Sequence, residues 1–166
     1  MIPYLNVSKP SKGELKNIDK YNLIYSYSSG NDWINHWSAD NIKNAIQIFN
    51  DHTIKHETMI LIQDPILQKR SYVTALDMFN DRQKIINYAP IIPKLNSDGT
   101  IENDTPYLWE GTRLYELALG EVYRLRDDEN GYGPKGKGFL RHVDIPEEVN
   151  RSFEIIADKM PEYLAR

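Results

Sequence analysis

The chain has 166 residues, with 20 Lys+Arg against 24 Asp+Glu, four His, no Cys and 40% hydrophobic residues. Without Cys there is no disulfide framework, no thiolate nucleophile, and no zinc finger or iron–sulfur cluster. A net charge of −4 and a pI near 5.6 argue against a DNA-coating protein, and no run reaches the ~18 apolar residues of a membrane span.

Residues 1–20 read as an N-terminal extended arm, because Pro3, Pro10 and Gly13 interrupt regular structure while Ile2, Tyr4, Leu5 and Val7 offer apolar anchors. The rest, 21–166, reads as one globular domain. Met1-Ile2-Pro3-Tyr4 lacks the charged and apolar regions of a signal peptide. The expected location is therefore cytoplasmic, or within a virion or other assembly.

In 21–27, Tyr21, Leu23, Tyr25 and Tyr27 alternate as in a strand. Ser38 opens a predicted helix to about Asn50, with Ile42, Ala45, Ile46 and Phe49 on one side. Met59-Ile60-Leu61-Ile62 is a short apolar run stopped by Asp64-Pro65, and predicts a strand buried on both faces. Over 71–88 a helix through Val73, Leu76, Phe79 and Ile86 competes with a hairpin turning at Asn80-Asp81-Arg82-Gln83. The strand chemistry of Ile85-Ile86-Asn87-Tyr88 favours the hairpin.

Residues 96–105 form a polar loop. A long central helix is predicted at about 106–126, with Pro106 in its first turn, a seam of Leu108, Gly111, Tyr115, Ala118, Val122 and Leu125, and Leu114 and Leu117 widening the apolar surface. Asp144 and Glu147 have capping-box spacing, opening a C-terminal helix at about 146–160 with Val149, Phe153, Ile156 and Met160 on one face. The predicted class is α+β: a small β-sheet in the N-terminal half, packed against these two helices.

Between the last two helices lies a long loop, 127–142, containing Gly131-Tyr132-Gly133-Pro134-Lys135-Gly136-Lys137-Gly138. It matches G-x-G-x-x-G and most of a P-loop, but both motifs need a strand before the loop and a helix after it. Here a helix precedes it, Phe139-Leu140 follow, and Gly138 replaces the magnesium-binding hydroxyl. A flexible excursion is the plainer expectation. Lys135, Lys137, Arg141 and His142 lie together in sequence, with Tyr132 and Phe139 as aromatic anchors, so a contact with a protein or a nucleic-acid backbone is the functional reading.

His52 and His56 are four apart, and His36 or Asp64 is available as a third polar group, but no complete zinc motif is present. His36-Trp37-Ser38 and His56-Glu57-Thr58 resemble the paired His-x-Ser/Thr motif of 2H phosphoesterases. That resemblance covers two tripeptides, and no activity is carried over from it. Trp33 and Trp37 are interface-type anchors, with burial beneath the first helix as the plain alternative.

The expectation is a non-enzymatic structural or interaction protein, a homo-oligomeric or multi-protein assembly subunit. Heavy use of Asn, Ile, Lys, Asp and Tyr fits AT-rich coding, so a phage virion or connector component is one such assembly. Its contact residues are Tyr4, Trp33, Trp37, Tyr132, Lys135, Lys137, Phe139 and Arg141, with nucleic-acid contact through 135–142 as a secondary partner and no membrane, metal or cofactor. One alternative is a phosphoesterase or nuclease centred on His36, His52, His56 and Asp64. The other is an adaptor or inhibitor of a host protein.

Overall fold

The computed structural model describes residues 38–51, 53–54, 57–79, 83–98, 100, 102 and 111–164. The arm, the 21–27 strand and the start of the predicted central helix lie outside these. The described elements are α1 (Ser38–Asp51), β1 (Thr58–Ile62), α2 (Gln68–Met78), β2 (Lys84–Tyr88), α3 (Gly111–Leu125) and α4 (Glu147–Lys159), then a 3-10 turn at Pro161–Tyr163. This is an α+β protein, and no described helix is long and apolar enough to cross a membrane.

The expected hairpin at 71–88 is not formed. Its first half is α2, and its second half is β2, which pairs with β1 in parallel from Thr58↔Lys84 to Ile62↔Tyr88. Parallel neighbours need a crossover, and α2 supplies it. The strand chemistry at Ile85-Ile86 was therefore real, but its partner lies before the helix. Gln68, at the start of α2, fixes the unit from within. It is fully buried, and its Nε2 donates to the Leu61 carbonyl at 3.1 Å and to Oδ1 of Asn87. Burial of β1 on both faces is also corrected: Met59, Ile60 and Leu61 are half-buried, while Ile62 is 57% exposed.

Periodicity predicted α1 and α4 well. Ile42 is buried in α1, which packs on α2, and the Phe49 and Phe79 rings meet at 6.5 Å. Phe153 is the buried centre of the α4 face, with Val149 and Ile156 half-buried. The 96–105 loop is partly tied, because Asn96 N–H donates to the Thr100 carbonyl and Glu102 N–H to that of Lys94.

The seam of α3 is displaced. Leu114, Leu119, Glu121 and Leu125 are buried, whereas Tyr115, Ala118 and Val122 are half-buried. An apolar pattern passes over Glu121, yet its carboxylate turns inward to Arg70 of α2. Arg70 donates through Nε at 2.6 Å and through Nη2 at 2.9 Å, and Arg124 adds a third donor at 3.1 Å. Only 13% of the Arg70 side chain and 4% of that of Glu121 are exposed. A bidentate pair of this kind is among the stronger charge-assisted contacts. Removing one partner leaves a buried charge, at a cost of about 3–5 kcal/mol. Glu121→Ala is therefore expected to lower unfolding free energy by roughly 3 kcal/mol in urea titrations. Replacing Arg70 and Glu121 together by Met and Leu should recover most of that loss.

Candidate functional site

Chain reversal after α3 is built from the backbone. Tyr132 N–H donates to the Arg124 carbonyl and Gly133 N–H to that of Arg126, so the segment folds back on the helix end. Phe139 and Leu140 N–H groups then both donate to the Tyr132 carbonyl at 2.9 Å. Leu140 and Val143 are buried with Val73 of α2 and Leu125 of α3, and Tyr132 and Ile145 pack against that cluster. Arg126 adds a cation–π contact with Phe153 of α4 at 5.7 Å. The result is a knob spanning 127–144, held to α2 and α3.

The expectation of a flexible excursion is overturned. The amides of Gly136, Lys137 and Gly138 donate to the carbonyls of Gly133, Gly131 and Gly133 respectively, each at 3.0 Å. Gly131 is required by close approach, since a Cβ there would sit 1.9 Å from the Arg126 carbonyl oxygen. Gly138 is required by its backbone, at φ 66°. These amides are turned inward on the knob's own carbonyls, which is the opposite of a phosphate cradle.

Acidic side chains lock the same structure. Asp128 Oδ1 accepts from the Asn130 and Gly131 amides, at 3.1 and 3.0 Å. Burial pushes the Asp128 carboxyl up, but these two donors and the charge of Arg126 outweigh it and hold it below the usual range. Asp127 accepts Lys135 N–H on Oδ1 at 2.7 Å, and its Oδ2 lies 2.7 Å from His142 Nδ1. These two contacts, the Lys135 amide first, lower its carboxyl pKa. His142 also reaches Asp144 Oδ1 through Nε2 at 3.1 Å, and the two carboxylates, Asp127 foremost, raise its pKa above the ordinary 6.5.

The predicted capping box is not formed: Pro146 occupies the α4 N-cap without a side-chain bond, and Asp144 is turned to His142. Nor are the cations of 135–142 unopposed. Arg141 donates through Nε to Asp77 of α2 and through Nη2 to the Leu76 carbonyl at 3.2 Å. Asp77 lies 64 residues away, so no local pattern pointed to it.

Five predicted contact residues, Tyr132, Lys135, Lys137, Phe139 and Arg141, thus come together on one knob. Phe139 is 53% exposed and meets Tyr132 edge-to-face at 5.3 Å. Lys137 Nζ lies 5.1 Å from the Tyr132 ring centre, and Lys135 is exposed nearby. Tyr4, Trp33, Trp37, His36, His52 and His56 lie outside the described residues. Asp64 is described, and its Oδ1 accepts the Ile66 amide at 2.9 Å in the turn after β1. Among the described residues no group of three His, Cys, Asp or Glu is placed to hold a metal ion.

No known protein-family model matches the chain.

The two glycines predict different losses. Gly131→Ala forces backbone apart and should break the Tyr132 and Leu140 amide hydrogen bonds, read as faster hydrogen exchange at both amides than in the wild type. Gly138→Ala meets nothing within 4 Å and is strained only by its φ, so it should cost about 1–2 kcal/mol in chemical denaturation.

Proposed function

We propose that this chain is a non-enzymatic subunit of a larger protein assembly, and that the 127–144 knob is its contact element. The observation that carries this reading is a rigid, glycine-locked projection that holds Phe139 exposed beside two lysines. A half-exposed aromatic on a flexible loop loses conformational freedom when it docks, whereas one on a pre-ordered knob loses little. Aromatic anchors ringed by polar groups are the usual centres of protein contacts.

Charge favours protein over nucleic acid as the partner. Asp127, Asp128, Glu129 and Asp144 offset Lys135, Lys137, Arg141 and protonated His142. Arg141 is also spent on Asp77 and His142 on two carboxylates. Backbone binding to nucleic acid relies on unopposed cations released from counter-ions, and a near-neutral knob supplies few. A repeated subunit can use such a knob heterologously, seating it in a groove on the next copy.

Light scattering on the full chain tests this. The expected mass is a multiple of 19.4 kDa, and Phe139→Ser, which exchanges an exposed side chain, should reduce it while leaving the circular dichroism spectrum unchanged. A wild-type chain that stays at single-chain mass and binds no protein through Phe139 would overturn the proposal.

A further inference from the structure

The imidazole of His142 has a carboxylate at each nitrogen: Asp127 at Nδ1, 2.7 Å away, and Asp144 at Nε2, 3.1 Å away. A neutral imidazole carries one N–H and one lone pair, and only the imidazolium donates from both nitrogens. The stronger anchor is Asp127, since its other oxygen is fixed by the Lys135 amide and its side chain is 10% exposed. Asp144 is fully exposed and free to turn. Loss of a proton would therefore leave the Nε2 lone pair facing a carboxylate and reduce the Asp127 contact from a charge-assisted bond to a neutral one, so the ring's hold on both acids weakens.

We propose that Asp127, His142 and Asp144 form a proton-operated clasp, which holds the knob closed when His142 is an imidazolium and loosens it when the ring is neutral. The clasp joins the Lys135 tip of the knob, through Asp127, to the strand of chain that leads into α4. As a regulator of assembly it rests on the contact role given to the knob above; as a local device it does not.

The surrounding charges are of both signs, and the two carboxylates on the ring are the ones that favour its protonated form. Within the knob, Lys135 acts on Asp127, and Arg126 is held by Asp128. Asp77 of α2 is held by Arg141, the neighbour of His142. The first turn of α4 adds Glu147 and Glu148, both acidic. The raised pKa of His142 means the closed knob binds the proton more tightly than the open one. Its contribution is thus full below the ordinary imidazole value of 6.5, and is lost as pH rises through the raised value. Asp127 has the opposite sign: with a lowered pKa, its contribution is present above 3.8 and lost as pH falls through the depressed value. The closed state is bounded by Asp127 on the acid side and by His142 on the alkaline side.

The test is an NMR titration of the His142 ring in the full chain, with amide exchange of Lys135 followed across the same pH range and corrected for the intrinsic rate. The midpoint is expected above 6.5, with Lys135 protection falling through it. Asp144→Asn should lower the midpoint and keep Lys135 protected at alkaline pH, because the introduced amide can donate to the neutral ring. His142→Gln should make Lys135 protection independent of pH across this range. An ordinary midpoint, or one that Asp144→Asn leaves unmoved, would overturn the clasp. Native mass measured in the same samples separates the two proposals. A mass that falls with Lys135 protection supports both, while single-chain mass at every pH and no protein bound through Phe139, with the midpoint raised, sustains the clasp and removes the assembly role.

Discussion

Burying an arginine and a glutamate against each other between α2 and α3 sets the geometry of everything that follows them. Arg70 and Glu121 meet through two hydrogen bonds, with almost none of the glutamate side chain in water. Desolvating two charges is unfavourable unless the geometry is good and further donors complete the shell, and Arg124 is the further donor. A planar guanidinium accepts few orientations of its partner. The pair therefore fixes the rotation of α3 against α2 more narrowly than apolar packing would, and so fixes where the end of α3 delivers the chain.

From that point α2 acts as the organiser. Gln68 at its start binds the Leu61 carbonyl and Asn87 of the parallel pair. Val73 at its middle lies in the apolar cluster beneath the knob, and Asp77 near its end holds Arg141 on the knob itself. One helix of 11 residues thus connects the sheet, the central helix and the exposed knob. Rigidity at Phe139 is inherited from this chain of contacts, since the ring itself is half in solvent.

What the sequence made legible follows from which interactions are local. The apolar faces of α1 and α4 repeat at helical spacing, and both helices end within a residue or two of their predicted limits. Failures occurred where a side chain is satisfied at long range. Glu121 is not singled out by the apolar pattern, because its partner Arg70 lies 51 positions earlier. Asp144 reads as a helix cap until His142 takes its carboxylate. The parallel partner of Ile85-Ile86 is hidden on the far side of α2, so adjacent pairing was the natural inference. Glycine richness was the most misleading signal. Composition registers conformational freedom, but Gly131 is used here because a carbonyl oxygen occupies the space a side chain would take.

The same comparison bears on how the knob meets a partner. In sequence, its cations form a cluster and its acids precede them, so it looks bipolar. In three dimensions the charges are interleaved: Asp127 lies on His142 and the Lys135 backbone amide, Asp77 on Arg141, and Lys137 over the Tyr132 ring. Interleaving shortens the range of the field, because Arg141 and His142 are paired with carboxylates and the remainder is screened over about 10 Å in physiological salt. Such a surface has little power to steer a distant polyanion, yet loses no specificity at contact, where shape and individual hydrogen bonds decide. Its exposed Phe139 supplies apolar area and its fixed backbone keeps the ordering cost low. Under the contact role proposed for the knob, a partner would be recognised at close range, by a complementary apolar pocket with acceptors placed for Lys135 and Lys137, and a protein surface of fixed shape provides that combination.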